Sequence, residues 1–249
     1  MKAIGIIPAR FASTRFPGKP LTLIHGKTMV ERVYVRAKKS ASLATVVVAT
    51  DDVRIYDHVM AFGGVAVMTS PEHPSGTDRC AETLQVLKEA YDLIINIQGD
   101  EPYIHPEQID QLVKCFTDAN AEIGTLVKVI SEEAEVHNVN IPKVVRDKNG
   151  WALYFSRHAI PYCKSEEITA AVQNKRFLKH IGIYGYRSHI LPVLAALPPG
   201  KLEKSESLEQ LRWLENGFKI MTAETQYENV AVDVPADVQI IEKRFNGSD

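Results

Sequence analysis

Cysteine is scarce in this chain: Cys80, Cys115 and Cys163 are the only three among 249 residues. They are odd in number, far apart and without any CxxC spacing, which excludes a disulfide framework or a cysteine-based zinc site and leaves reduced thiols. Long apolar runs are missing too, and no stretch approaches the ~20 residues of a membrane span. Met1-Lys2 leads directly into strand-like sequence, with no apolar leader region or cleavage site, so the expectation is a cytoplasmic protein without stable membrane insertion. Excess positive charge is absent: 29 basic against 31 acidic residues give a net charge of −2, which argues against a nucleic-acid footprint spread over the surface. Glycine is sparse where the common phosphate loops need it. Gly18 is the only glycine between Ile7 and Leu21, so the three-glycine dinucleotide fingerprint is excluded. The triplet Gly26-Lys27-Thr28 lacks the earlier glycine of a Walker A loop, because Leu21 stands there, and it reads as a turn entering a helix.

What the chain does have is a composition, 45% hydrophobic and 24% charged, that can bury a large core as one main α/β domain with an elaboration. Apolar runs at 3–8, 45–49 and 93–97 predict strands buried on both faces, the mark of a parallel sheet, with further strands at 65–68 and 123–129. Between them Val30, Val33, Tyr34 and Ala37 fall at i, i+3, i+4 and i+7. Ile109, Leu112, Val113 and Phe116 repeat the spacing after Pro106, a favoured first-turn residue. A helix is expected over 78–90. The fold class that follows is α/β, a Rossmann-like and mostly parallel central sheet flanked by helices. After about residue 130 the segments shorten, at 143–146, 151–155 and 181–186, which predicts a smaller antiparallel element in the second half. This addition, spanning about 131–187, can close a site or make a dimer contact. Helices return over 207–215, stopped by Asn216-Gly217, and after Pro235.

The chemistry concentrates in the loop after the first strand. Arg10, Arg15 and Lys19, with Ser13, Thr14 and Gly18, form an anion cradle in which backbone amides, hydroxyls and cations can neutralise a polyphosphate. In open parallel sheets ligands sit beyond the carboxyl ends of the strands. Those ends are polar here: Pro8-Ala9-Arg10, Thr50-Asp51-Asp52 and Gln98-Gly99-Asp100-Glu101-Pro102. Asp100 can reach over the sheet edge towards a triphosphate, and a magnesium ion, which favours one or two carboxylates plus phosphate and water, can bridge them. The second carboxylate is Asp233, at the end of the apolar run Val230-Ala231-Val232, which reads as a strand before a helix. Either aspartate alone also fits a helix cap. Ser75-Gly76-Thr77-Asp78-Arg79 opens a helix and can read a nucleobase, contact a phosphate or simply cap. Spacing does not link Arg157, His180, Glu209 and Gln210. By itself His180 reads as a structural histidine, and Glu209-Gln210 as a solvated helix face.

Taken in order, these motifs resemble one family, the 3-deoxy-manno-octulosonate (Kdo) cytidylyltransferases. The resemblance runs from 6–20 through Val48-Ala49-Thr50-Asp51, 75–79 and 96–102. It continues through Tyr154-Phe155-Ser156-Arg157, 180–187, Leu208-Glu209-Gln210-Leu211-Arg212 and Val232-Asp233. It implies one nucleotidyltransferase domain over 1–249, joining CTP and Kdo into CMP-Kdo and pyrophosphate for lipopolysaccharide, with magnesium as cofactor and a homodimer as assembly. Carried residue by residue, it implies nucleotide contacts at Pro8, Ala9, Arg10, Ser13, Arg15, Lys19, Ser75, Gly76, Thr77, Arg79 and Gln98. Arg10, Ser13 and Lys19 would lie on the triphosphate, and Ser75, Thr77 and Arg79 near the cytidine. Lys19, Asp100 and Asp233 would be catalytic, the two aspartates as metal ligands. Gln98, Arg157, His180, Tyr184, Glu209 and Gln210 would line the sugar pocket. Ala231 and Val234 depart from the glycine and threonine often flanking the last aspartate, and Phe16 from a leucine. The rival readings are the same chemistry on 8-amino-Kdo or a sialic acid, and a nucleotide-binding regulatory module without catalysis. Retention of both aspartates and Lys19 opposes the second.

Overall fold

The computed structural model describes residues 1–12 and 16–245. The chain divides into two compact units, Met1–Asp110 with Tyr186–Ala195 and Glu228–Asp249, and Gln111–Gly185 with Ala196–Tyr227.

The first unit opens with β1 (Ala3–Ala9), the small antiparallel pair β2 (Leu23–Ile24) and β3 (Lys27–Thr28), α1 (Met29–Ala37), β4 (Leu43–Thr50), α2 (Val53–Ala61) and β5 (Ala66–Met68). Then come α3 (Gly76–Val86), β6 (Leu93–Asn96) and the start of α4 (Pro106–Lys114). Ile4, Ile6 and Ile7 are fully buried, because β1 is the strand that needs cover on both faces. It pairs in parallel with β4 and with β6, and β4 in turn with β5, giving the order β6-β1-β4-β5. The register sets Ala9 against Thr50 and Ile6 against Asn96, so the polar strand ends leave from one edge. The three helices α1, α2 and α3 pack on these strands. Their starts are capped by side chains: Thr28, Asp52 and Ser75 accept from the backbone amides of Glu31, Arg54 and Asp78.

The second unit contains β7 (Ile123–Val129), α5 (Glu133–His137), β8 (Lys143–Arg146), β9 (Ala152–Ser156), α6 (Ile168–Gln173) and most of β10 (Leu178–Arg187). After α7 (Leu191–Ala195), which belongs to the first unit, it resumes with α8 (Lys201–Glu206), α9 (Gln210–Glu215) and β11 (Ile220–Glu224). Here β11 is parallel to β7, β7 neighbours β10, and β8 is antiparallel to both β9 and β10. This is the antiparallel element expected in the second half. The last helix, α10 (Pro235–Phe245), returns to the first unit. Val232 and Ile241 are buried there with Ile24, Met29 and Tyr103, and Phe245 stacks on Tyr103 at 3.9 Å.

Three expected elements differ. The helix expected over 78–90 runs Gly76–Val86, because Ser75 caps it earlier and the chain turns extended at Leu87. The helix expected over 207–215 begins only at Gln210, as α9, because Ser207 sits at φ 52 in the left-handed region, and a further short helix, α8, precedes it. The Arg212 guanidinium holds them together through a two-pronged bond to Glu203, at 2.8 and 2.6 Å. The run 230–234 is not a strand: Val230 and Val232 pack with Tyr103 and α10, and the run joins no ladder. The triplet at 26–28 is a turn, Gly26 at φ 78, leading to the cap of α1.

Candidate active site

An open cleft of about 260 Å³ lies in the first unit, walled by residues 8–10 after β1, by Lys19 and Pro20, by residues 73–76 and Arg79 of α3, and by residues 98–100. Parallel strands make this possible, since their carboxyl ends deliver the loops to one edge. The walls meet closely. A side chain at Gly99 would press its Cβ to 2.6 Å from the Pro8 carbonyl oxygen, so glycine is needed where the two loops touch.

Lys19 sits at the centre of the cleft's charge. Its ammonium donates to Asp100 Oδ2 at 2.8 Å and to the Val232 carbonyl at 2.9 Å, and the Val232 amide donates to the Asp100 carbonyl at 2.9 Å. One lysine and two backbone groups therefore join the start of the chain, the loop after β6 and the segment before α10. Asp233 follows Val232 directly, is exposed and does not line the cleft itself. Asp237 accepts from the amides of Asp233 and Val234, the two residues before α10, at 2.8 and 2.9 Å. Beside Asp100, Glu101 is buried against Asn229, which donates to it. Burial, with the Asp100 charge adding to it, pushes the Glu101 carboxyl up to about 8 against that hydrogen bond.

Arg79 is buried and fixed on three sides, by Thr69 Oγ1 at 2.5 Å, the Ser70 carbonyl at 3.3 Å and Asp51 Oδ2 at 3.2 Å. The other Asp51 oxygen and the Asn96 side-chain oxygen are buried and have no hydrogen-bond partner among the described residues. Ser75 both caps α3 and lines the cleft. His73, also on the cleft wall, pairs with Glu82, which accepts in addition from the Ser70 amide at 2.7 Å. Burial works to raise the Glu82 carboxyl, and the Ser70 amide, His73 and Arg79 together bring it below the usual range.

The downstream residues gather in the second unit. The His180 ring meets Phe155 and Tyr184 at 5.2 Å each, and Tyr184 meets Trp213 edge-on at 5.1 Å. Thr125 spends its hydroxyl hydrogen on the Ile183 carbonyl at 2.7 Å, so the 2.9 Å contact to His180 Nε2 is donated by the ring, leaving Nδ1 as an acceptor. One turn before Trp213 on α9, Gln210 is 3% exposed and its Nε2 has no hydrogen-bond partner among the described residues. Arg157 donates to the carbonyls of Glu206, Val139 and Ser207 at 2.6, 3.0 and 3.1 Å, holding the turn that leads to Glu209 and Gln210.

Burial pushes the His180 imidazole down to about 3 from 6.5, so the folded chain holds it neutral. Between those values the unfolded chain takes up a proton that the folded chain refuses. Stability from this group is therefore complete above pH 6.5 and lost as the pH falls towards 3. The His180→Gln variant should remove up to about 2 kcal/mol of the stability difference between pH 7 and pH 5, read from urea unfolding. An undiminished acid loss in the variant would assign it to other groups.

The cleft thus gathers Pro8, Ala9, Arg10, Lys19, Ser75, Gly76, Arg79, Gln98 and Asp100. Thr77 is buried within α3 and does not line it. Ser13 and Arg15 lie outside the described residues. Arg157, His180, Tyr184, Glu209 and Gln210 belong to the other unit. Sequence reasoning missed His73 and Pro20 as cleft walls. It also missed a separate role for Glu101, whose signal is that it stands directly before the apolar Pro102-Tyr103-Ile104, all buried.

The cytidylyltransferase family pattern matches residues 4–220, and with the parallel sheet and its cationic cleft it defines the class, a nucleotidyltransferase. A 3-deoxy-manno-octulosonate cytidylyltransferase of Parabacteroides distasonis is 54% identical over 96% of each chain, and one of Thermodesulfovibrio yellowstonii 50% identical over 99% of each. The structure of a CMP:2-keto-3-deoxy-manno-octonic acid synthetase complexed with CTP superposes with a TM-score of 0.91, at 41% identity and 99% coverage of both chains. The chain belongs to the cytidylyltransferase family, in its 3-deoxy-manno-octulosonate branch.

Proposed function

We propose that this enzyme transfers the cytidylyl group of CTP to Kdo, releasing pyrophosphate and supplying CMP-Kdo for lipopolysaccharide. The observation that carries the reading is the junction of Lys19, Asp100 and Val232 inside the cleft, in a chain so similar to CMP-Kdo synthetases. In the proposed reaction the anomeric hydroxyl of Kdo attacks the α-phosphorus in line, the bond from that phosphorus to the bridging oxygen breaks, and the hydroxyl proton passes to solvent. Arg10, Arg79 and the cleft loops bind and orient the nucleotide, with Ser13 and Arg15 of the same loop as further triphosphate contacts, and Lys19 faces the charge that appears on the leaving pyrophosphate.

The donor set fits magnesium. Asp100 and Asp233 would be its hard oxygen ligands, on segments joined through their backbones, with the remaining ligands from phosphate and water. Bound there, magnesium would neutralise phosphate charge and lower the pKa of the attacking hydroxyl.

For the sugar, neutral His180 offers an acceptor and Gln210 a donor, and a buried amide without a partner costs about 1–3 kcal/mol unless a ligand supplies one. Arg157, Tyr184 and Glu209 complete the proposed pocket in the second unit, and Gln98 is a proposed sugar contact on the cleft wall of the first. The same reading takes the enzyme to be a cytoplasmic homodimer, the setting that the family resemblance implies. No described helix is long and apolar enough to cross a membrane.

Pyrophosphate release measured across four nucleotides and a panel of Kdo, 8-amino-Kdo and sialic acid tests the reading. CTP with Kdo should be the preferred pair, and no release with any pair would leave only the regulatory module. In the same assay Gln210→Ala should raise the Michaelis constant for the sugar about tenfold and leave that for CTP within about twofold.

A further inference from the structure

A polar chain runs through the interior of the first unit beside the cleft. The His105 amide donates to Gln108 Oε1 at 3.0 Å, Gln108 Nε2 donates to Asn229 Oδ1 at 2.6 Å, and Asn229 Nδ2 donates to Glu101 Oε2. Every link runs in one direction, and both ends of the Asn229 amide are used. Gln108 is fully buried and Glu101 7% exposed. Stability alone would favour apolar residues at such positions, because a buried carboxyl costs more than its hydrogen bonds return. What the chain provides is a connection between distant parts of the sequence. Asn229 lies 128 residues from Glu101. Glu101 follows Asp100, and Asn229 stands four residues before Asp233. The amide of Val232 on the Asp100 carbonyl is the second bond between the same two segments.

We propose that Glu101, Asn229 and Gln108 form a latch that holds the loop after β6 against the segment before α10 and thereby sets Asp100 and Asp233 in position to share a metal. Glu101 is a positioning residue, and the latch works with its carboxyl in either protonation state, since Oε2 accepts from Asn229 in both. The metal half of this inference rests on the proposed function, whereas the latch itself does not.

The directionality supplies the test. Asn229→Leu, close in size, removes both the donor facing Glu101 and the acceptor facing Gln108 and should break the link whether Glu101 is charged or protonated. The double variant Asn229→Asp with Glu101→Gln keeps the link with reversed polarity and the original formal charge, because the new amide donates to the new carboxylate. Three quantities are measured on the full-length protein: amide exchange at Val232, manganese affinity in the presence of CTP without sugar, and CTP affinity without metal. Asn229→Leu should speed Val232 exchange and weaken manganese binding, each about tenfold, with CTP affinity within about twofold, and the double variant should stay near the wild type in both. Gln108→Leu, which cuts the far end of the chain, should shift the same two quantities in the same direction and serves if Asn229→Leu does not fold. Unchanged exchange at Val232 in the folded single variants would overturn the latch, as would a folded double variant as impaired as Asn229→Leu. Lowered melting temperatures with wild-type manganese affinity would overturn its positioning role. Asp100→Asn is the control: if it binds manganese like the wild type, the metal reading fails, and the exchange result still decides the latch.

Discussion

Asp100→Asn and Asp233→Asn should each lower turnover by about two to three orders of magnitude at saturating CTP and Kdo, with the proteins still folded. Asparagine keeps the size of aspartate and its ability to cap a helix, and removes only the charge. The helix-cap alternative therefore expects little change. For Asp100 the expected loss has two parts, a missing metal ligand and a missing partner for the Lys19 ammonium 2.8 Å away. Assays over a magnesium series separate them: a lost ligand raises the magnesium requirement, whereas a freed lysine does not. Near-wild-type turnover and unchanged magnesium dependence in both variants would overturn the catalytic role of the pair.

Lys19→Ala should be nearly as damaging, with turnover reduced about a hundredfold or more and CTP affinity changed much less. An ammonium that meets charge growing on the departing pyrophosphate binds the transition state better than the ground state, and only that difference accelerates the reaction. Lys19 also bonds Asp100 and the Val232 carbonyl, so its removal loosens the same junction. Lys19→Arg keeps the charge and should recover part of the turnover, although a planar guanidinium cannot reproduce the point charge of an ammonium. A raised Michaelis constant for CTP at unchanged turnover would reduce Lys19 to an anchor for the triphosphate.

Much of this protein was legible before folding was considered. Runs such as 3–8 and 93–97 report strands buried on both faces, because backbone periodicity and the demand for cover act locally. The cations after β1 and the polar residues at 98–102 mark the cleft for the same reason: their types are ill suited to a core and stand where a parallel sheet presents its ligand edge. Local rules failed where tertiary packing overrode them. Ser207, left-handed at φ 52, delays to Gln210 a helix that the pattern alone starts at 207, and Val230 and Val232 are apolar because they pack on α10 and Tyr103, not because they form a strand. Arg157 illustrates the limit most plainly: no local pattern reveals that its guanidinium donates to three backbone carbonyls of its own unit. By itself the sequence determined the fold class, the anion loop and the residue types available for catalysis, since these follow from composition and short-range pattern. Only the tertiary structure decided that Asn229 reaches Glu101 and that Val232 reaches Asp100. No local rule relates residues more than a hundred positions apart, and their meeting is set by how α10 buries its apolar face.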